Sequence, residues 1–237
     1  MTDYPIPRWQ RHAPPPPSPP TFKWPEPHGP KKWRDGTPFV EGMLESLAAV
    51  RVTGAGFDLL RHVLGRPDIV RSGVWVEFGV FRGESLTLLA KARGDARVYG
   101  FDSFEGLPEP WRPGFPRGTF ALGSPAEIPQ VEGATIVKGL FADSFEALAR
   151  AGKDLRPVTL AHIDSDIYLS ATQALTWLEG AGGPRRLTAG SIIVFDELWN
   201  YQGYEEHEMK ALGEAYQRGL RFEVLGSAYD KAAIRIL

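Results

Sequence analysis

One stretch, Val74-Trp-Val-Glu-Phe-Gly-Val-Phe-Arg-Gly-Glu-Ser85, constrains the fold of this chain more than any other. Residues 74–77 are apolar enough for a buried strand, Gly79 and Gly83 then interrupt the chain, and residues 84–93 carry the spacing of an amphipathic helix. A strand, a tight glycine turn and a helix form the start of a βαβ unit, which predicts a parallel sheet. In open parallel sheets, ligands bind at the carboxyl ends of strands, where such turns lie.

The spacing of this turn argues against a dinucleotide. That fingerprint needs G-x-G-x-x-G so that pyrophosphate can approach bare backbone at a helix N-terminus, but here the second and third glycine positions hold Phe81 and Glu84. The pattern present is acid-x-Gly-x-x-x-Gly, with Glu77 at the end of the strand. An acid there suits a ligand with positive groups, such as the ammonium and sulfonium of S-adenosylmethionine. The alternative is a strand-to-helix turn with a purely structural role.

Length and composition limit the choice of partners. A chain of 237 residues can bury a full core, and one domain with an extension is expected. The net charge of −2 gives no reason to expect nucleic acid or an anionic membrane as partner. The absence of cysteine excludes disulfides, thiolate metal sites and cysteine nucleophiles. Without a long apolar run or a hydrophobic signal core, the expected location is cytoplasmic.

Residues 1–38 differ from the rest and form a predicted N-terminal arm, whereas residues 39–237 form the predicted catalytic domain. Eleven of the 21 prolines fall in the first 30 residues, which favours an extended or disordered segment. Trp9, Trp24 and Trp33 argue against pure disorder, because tryptophan usually packs on something. An arm that wraps its own domain or joins two subunits into a homo-oligomer, and a proline-rich ligand for a recognition module, are the alternatives.

Hydrophobic periodicity predicts strands that alternate with helices. This order points to an α/β fold with a doubly wound, Rossmann-like sheet and a C-terminal antiparallel hairpin. The predicted strands are residues 74–77, 97–102, 135–140, 158–163, 191–195, 222–225 and 232–236. The predicted helices are residues 39–50, 56–64, 84–93, a helix opened by Asp143-Ser144 as N-cap and running to 150, 170–178 and about 205–218.

Two features between the second and third strands suggest ligand contacts. Asp102 ends the second strand, where an acid grips a ribose hydroxyl pair in nucleotide-binding folds; a simple strand-end turn residue is the alternative. Residues 104–130 are rich in Gly and Pro, with aromatic residues interleaved. A loop of this length inside a compact domain is usually a lid or a binding loop. We therefore expect a mobile cover over an acceptor site.

A second acidic group follows the fourth and fifth strands. The carboxyl ends of these neighbouring strands should bring together Asp164, Asp166, Asp196 and Glu197, which repel one another unless a cation or shared protons intervene. Oxygen-only ligands favour a hard ion such as Mg²⁺, whereas helix or turn capping by Asp166 and Glu197 is the alternative. A bound divalent ion can lower the pKa of a substrate hydroxyl.

A general base could come from Asp164 or from His207, which begins the last helix. His162 lies inside the fourth strand, so a satisfied core histidine is its expected role.

Four motifs in order resemble the macrocin O-methyltransferase family of class I S-adenosylmethionine-dependent enzymes, which methylate sugar or aromatic hydroxyls. They are Val-Glu77-Phe-Gly79-Val-Phe-Arg-Gly83-Glu-Ser85, Gly100-Phe-Asp102-Ser-Phe-Glu-Gly106-Leu-Pro108, His162-Ile-Asp164-Ser-Asp166-Ile-Tyr168 and Val194-Phe-Asp196-Glu197. The resemblance covers about residues 70–237 and leaves out the proline-rich arm.

The resemblance implies a set of site residues at the matching positions. For the cofactor these are Glu77, Gly79 and Ser85 at the methionine part, Asp102 at the ribose, and Asp143 and Ser144 at the adenine edge. Gly83, Ser103 and Asp164 are further cofactor residues. For the metal they are Asp164, Asp196 and Glu197. Members of the family usually have a second Asp where Glu197 stands. Related catechol methyltransferases carry a lysine base just after the fourth-strand acid, where this chain has Ile167 and Tyr168.

The sequence thus predicts a Mg²⁺-dependent, S-adenosylmethionine-dependent O-methyltransferase, with Asp164 and His207 as catalytic candidates. The expected partner is a small-molecule hydroxyl acceptor, such as a sugar of a natural product. An NAD(P)-linked oxidoreductase and a non-catalytic S-adenosylmethionine-binding scaffold are the alternatives.

Overall fold

The computed structural model describes residues 38–180 and 183–237, and it contains a seven-stranded sheet in the order β3-β2-β1-β4-β5-β7-β6. The first five strands are parallel, and β6 and β7 form an antiparallel hairpin that adds to β5 through β7. The strands are Val74–Phe78 (β1), Arg97–Asp102 (β2), Ala134–Lys138 (β3), Val158–Ile163 (β4), Leu187–Phe195 (β5), Phe222–Ala228 (β6) and Lys231–Ile236 (β7). The predicted doubly wound sheet with a C-terminal hairpin is confirmed.

Helices cover both faces of the sheet. They are Phe39–Ala49 (α1), Asp58–Leu64 (α2), Glu84–Ala92 (α3), Phe141–Arg150 (α4), Tyr168–Glu179 (α5) and Glu208–Gln217 (α6). Alternation along β1 divides the core. Val74, Val76 and Phe78 pack into the cluster with α1, α4, α5 and α6, whereas Trp75 packs with α2 and α3. Because β1 and β4 are buried on both faces, their sequences are almost continuously apolar.

Several element boundaries differ from those predicted, among them the starts of α4, β5 and α6. Helix α4 begins at Phe141, so Asp143 and Ser144 lie inside its first turn, and the N-cap Leu140 makes no side-chain hydrogen bond. The predicted capping role of Asp143-Ser144 is therefore wrong. Strand β5 begins at Leu187 rather than residue 191, and a short 3₁₀ helix, Tyr204–Glu206, precedes α6.

The connection between β2 and β3 is long and irregular, as predicted, with only one 3₁₀ turn at Pro125–Glu127. Backbone hydrogen bonds close it on itself, from Leu107 N to Thr119 O at 2.9 Å and from Leu122 N to Phe104 O at 3.1 Å. Its apolar residues, among them Trp111, pack against Ile167 and Tyr201 in a small separate cluster. The connection therefore packs over the carboxyl end of β4, while its predicted mobility and covering role stay predictions.

The carboxyl edge of the sheet brings the motif residues together. Hydrogen bonds of 2.9 Å continue the ladder one residue past the strands, from Gly79 N to Phe101 O, Asp164 N to Phe78 O and Asp196 N to Ile163 O. The residues that follow β1, β4 and β5 are thus held side by side by backbone pairing.

The predicted N-terminal arm, residues 1–38, lies outside the described residues except for Pro38. Among the described helices, none has the length and apolar character needed to cross a bilayer.

The backbone of Gly79 lies very close to that of Asp164, and substitution of Gly79 tests this close approach. A Cβ at Gly79 would lie 1.8 Å from the carbonyl oxygen of Asp164, and the backbone there has φ +93°. Gly152 has φ +61°, and no atom lies within 4 Å of the place that a Cβ would take there. Gly152→Ala should therefore lose only the cost of left-handed backbone, about 1–2 kcal/mol. Gly79→Ala should lose about 1–3 kcal/mol more through overpacking. Urea unfolding measures both, and equal losses would contradict the close approach.

Candidate active site

The glycine turn after β1 is fastened to the end of β2 by a carboxylate. Asp102 Oδ2 accepts hydrogen bonds from the backbone N–H groups of Val80 and Phe81, both at 2.8 Å, and its Oδ1 accepts one from Phe104 N at 2.7 Å. Phe81 has φ +47°, a strained value for a side chain of this size, and the two bonds hold it there. Asp102 therefore shapes the turn, and its predicted contact with a ribose stays a prediction.

Glu77 is fully buried at the end of β1. Its Oε1 lies 2.8 Å from Nδ1 of His162, its partner across the β1–β4 ladder. Burial raises the pKa of Glu77, and His162 and the hydroxyl of buried Ser85 offset part of that rise. Oε2 of Glu77 has no hydrogen-bond partner of good geometry among the described residues.

His162 also faces a second acid on its other side. Its Nε2 lies 3.6 Å from Oδ1 of Asp196, while Oδ2 of Asp196 accepts a 2.7 Å bond from Nζ of Lys231. Burial acts to lower the pKa of His162, but Asp196 and Glu77 together raise it to about 10. Burial acts to raise the pKa of Asp196, but Lys231 and His162 bring it well below its usual range. His162 is therefore a paired core histidine, as expected, and it is charged at neutral pH.

Three other carboxylates form a cluster at the ends of β4 and β5. Asp164, Asp166 and Glu197 each offer one oxygen, and these oxygens lie within 4.8 Å of one another. Burial and the neighbouring negative charges raise the pKa of Asp164 and of Glu197 well above their usual values, and that of Asp166 to about 7. Oε2 of Glu197 is buried without a partner among the described residues. An oxygen-only group of this kind fits a hard divalent cation.

The structure thus alters the predicted metal set of Asp164, Asp196 and Glu197. Asp196 does not belong to the cluster, because its carboxylate pairs with Lys231 and faces His162. Asp166 takes its place, in a left-handed backbone conformation with φ +62°. Metal binding by either set stays a prediction.

The last helix contributes two titratable residues that differ in environment. His207, the N-cap of α6, stacks on Tyr201 with ring centroids 6.3 Å apart, and its Nδ1 is buried without a partner among the described residues. Burial lowers the pKa of His207, so its imidazole is neutral at pH 7. Glu208 is fully buried, and its Oε1 lies 3.3 Å from Ser165 N. Burial and the nearby Asp166 raise its pKa well above the usual value.

The remaining predicted cofactor residues lie at the ends of β2 and β3. Ser103 accepts a 3.1 Å bond from Glu105 N and thus closes a turn. Asp143 is exposed, whereas Ser144 is buried and its Oγ lacks a partner among the described residues. Gly83 begins α3 with φ +77°, and a Cβ there would press on Pro129 and Val131 at 3.0–3.1 Å. Their cofactor contacts stay predictions.

Sequence reasoning missed several residues at this edge. Lys231 reaches Asp196 from the far hairpin, and Glu208 reaches Ser165 from α6, so neither shows a local sequence signal. Asp166 was predicted to lie in the acidic group, and only the metal set implied by the family resemblance left it out.

The fold and the match to a known family together define the class of this protein. A doubly wound sheet with a glycine turn and acids at its carboxyl edge is the arrangement of nucleotide-cofactor enzymes. Residues 76–198, just over half of the chain, match the family described as methyltransferase domain, and this chain belongs to that family. This membership supports S-adenosylmethionine as cofactor.

Solved structures of methyltransferases resemble the chain. The crystal structure of CalS11, a calicheamicin methyltransferase, is 27% identical, with 75% of each chain covered and a TM-score of 0.55. An apo structure of CalS11, there called a TDP-rhamnose 3′-O-methyltransferase, is 22% identical over 82% of this chain and 80% of its own, with a TM-score of 0.48. Among curated proteins, none matches the chain.

The charge of His162 leads to a prediction about stability and pH. Its pKa rises from 6.5 to about 10 on folding, so its ion pairs stabilise the fold fully below pH 6.5. That stabilisation is lost as the pH rises through about 10. In metal-free buffer, the free energy of unfolding of His162→Gln should therefore fall furthest below wild type near pH 6 and approach it by pH 10. Urea unfolding at several pH values measures the difference.

His207→Gln is the matched control for this experiment. Because the pKa of His207 is lowered, its titration affects stability only below pH 6.5. Its difference from wild type should be flat between pH 6.5 and 10. A flat profile for His162→Gln as well would refute the charged state of His162.

Proposed function

We propose that this protein is an S-adenosylmethionine-dependent O-methyltransferase that acts on a hydroxyl of a small molecule and uses a divalent cation such as Mg²⁺. The observation that carries the proposal is the carboxylate cluster of Asp164, Asp166 and Glu197 beside the glycine turn of a methyltransferase-family chain. The resemblance to CalS11 supports a natural-product acceptor, because that protein is described as a calicheamicin methyltransferase. The finer likeness to macrocin O-methyltransferases belongs to the same proposal.

Buried oxygen atoms at the expected cofactor site fit a polar ligand. Oε2 of Glu77 and Oγ of Ser144 are buried without partners among the described residues, and unpartnered buried oxygens favour a ligand that donates to them. Glu77 would face the cationic methionine end, and Gly79 and Gly83 keep the turn free of side chains. S-adenosylmethionine supplies the methyl group when bound.

The acceptor site fits a hydroxyl that must lose a proton. A divalent ion held by Asp164, Asp166 and Glu197 would lower the pKa of a hydroxyl bound to it. His207 is neutral at pH 7 and keeps Nδ1 without a partner among the described residues, so it can accept a proton. Asp164, with its raised pKa, is the other candidate base. Positioning of the hydroxyl against the cofactor would supply much of the remaining rate.

Calorimetry with nucleotide ligands tests the cofactor assignment. S-adenosylmethionine and S-adenosylhomocysteine should both bind, whereas NAD should not, because Phe81 and Glu84 stand where a pyrophosphate needs glycine. Binding of NAD without either adenosyl compound would favour the oxidoreductase alternative. Binding of S-adenosylmethionine without methyl transfer to any hydroxylated acceptor would favour the scaffold alternative.

Titration with Mn²⁺ in place of Mg²⁺, followed by electron paramagnetic resonance, tests the metal set. With S-adenosylhomocysteine present, Asp166→Asn should weaken Mn²⁺ binding at least about tenfold, since even changes outside a ligand set have effects of this size. Glu208→Gln is the matched control, because Glu208 is a buried acid near Asp166 that lies outside the cluster. It should weaken Mn²⁺ binding clearly less than Asp166→Asn does, because Glu208 supplies no oxygen to the cluster.

A third variant distinguishes the two possible ligand sets. If Asp196→Asn weakens Mn²⁺ binding more than Asp166→Asn, and unfolds no more readily, then the set predicted from the sequence is right and the cluster assignment fails.

A further inference from the structure

A guanidinium sits among aromatic rings at the mouth of the acidic cluster. The Cζ of Arg112 lies 3.9 Å from the ring centroid of Trp111, 4.9 Å from that of Phe115 and 5.0 Å from that of Tyr201. A closed turn carries this side chain, with hydrogen bonds from Trp111 N to Phe115 O at 3.0 Å and from Phe115 N to Arg112 O at 2.9 Å. Cation–π contacts and the turn together hold the guanidinium in place.

The donors of Arg112 are unused within the described part of the chain. No hydrogen bond or ion pair joins its side chain to a described residue, and its Nε is buried. The hydroxyl of Tyr201, whose ring lies 5.6 Å from that of Trp111, is likewise buried without a hydrogen bond of good geometry there. The indole N–H of Trp111 faces that hydroxyl oxygen and acts to lower the pKa of Tyr201, so it has an acceptor nearby. The two donors left without an acceptor, Arg112 Nε–H and Tyr201 O–H, lie on one wall and indicate a ligand with acceptor oxygens.

The same wall adjoins the proposed catalytic residues. Burial raises the pKa of Asp166 and lowers that of His207, and the charge of Arg112 acts to lower both, so this charge lies near both residues. Burial raises the pKa of Tyr201, and the nearby charges of Glu208, Glu197 and Asp166 add to that rise. A molecule lying on Trp111 and Tyr201 would thus have one end at the carboxylate cluster and another at Arg112.

We propose that Arg112 is a specificity residue for a methyl acceptor that carries an oxyanion, a phosphate or a carboxylate, beside the hydroxyl to be methylated. The inference rests on the proposed function and names the substrate class of that site. Two parallel N–H groups of a guanidinium match two oxygens of either group. The three carboxylates of the cluster outnumber the two positive charges of one divalent ion, so the nearby positive charge of Arg112 offsets the remaining repulsion of an anion.

Binding of three related sugars by calorimetry tests this assignment on the full chain saturated with S-adenosylhomocysteine and Mg²⁺. The probes are glucose 1-phosphate, glucuronate and the neutral methyl glucoside, so that the first two separate a phosphate from a carboxylate. At least one anionic sugar should bind about tenfold or more tightly than methyl glucoside. Arg112→Met should abolish that preference, and Arg112→Lys should keep part of it, because lysine supplies charge without the planar fork.

Arg117→Met is the matched control, since Arg117 is an exposed arginine on the same loop. It should keep the full preference, and all variants should bind S-adenosylhomocysteine as wild type does. Anionic sugars that bind no better than methyl glucoside would overturn the inference while leaving the proposed function intact. So would equal losses in Arg112→Met and Arg117→Met. Failure of wild type to bind S-adenosylhomocysteine would instead overturn the proposed function and the inference with it.

Discussion

A row of alternating buried charges crosses the sheet, and the site depends on it. Glu77, His162, Asp196 and Lys231 come from β1, β4, the end of β5 and β7, and neighbours in the row lie 2.7–3.6 Å apart. Removing one member of a buried ion pair costs about 3–5 kcal/mol, because it leaves the other charge uncompensated. A slip of one residue in any of these strands would turn its charged side chain to the other face. The row therefore ties the register of the sheet to the geometry of its carboxyl edge.

The same row decides which acids are free to bind a ligand. Asp196 is committed to Lys231, whose position on β7 follows from the antiparallel pairing of Phe195 with Ala232. Asp166 turns inward in its place, at the cost of about 1–2 kcal/mol for left-handed backbone. Glu208 supports this bend from α6 through Ser165. Asp164, Asp166 and Glu197 therefore lie close together, and no cation among the described residues pairs with them.

Local patterns in the sequence predicted the fold, and long-range contacts explain where they fell short. Strands β2 and β4 match their predicted bounds, because each is a short apolar run between clear turns. The predicted cap at Asp143 was wrong because β3 ends at Lys138 and α4 already begins at Phe141, with Leu140 as its N-cap. The acidic cluster was predicted, since strand ends meet at one edge. Three of the four acids predicted for it, Asp164, Asp166 and Glu197, belong to it, whereas Asp196 does not, because a lysine from the terminal hairpin pairs with that acid.

The pairing of charges within the row also explains why the carboxylate cluster beside it lacks a compensating cation. With Glu77 and Asp196 ionised, and with His162 and Lys231 protonated, the four charges sum to zero. Asp230, whose buried Oδ1 lies 3.5 Å from Nζ of Lys231, is a further carboxyl beside them, and burial raises its pKa. No described cation pairs with Asp164, Asp166 or Glu197, and the pKa of each is raised by burial and by mutual repulsion. Such a group must hold protons or gain positive charge from a ligand. Because a divalent cation would displace those protons, its binding should release protons and weaken as the pH falls. Because His162 and Lys231 already face carboxylates of the row, the row has no spare positive charge with which to neutralise the cluster.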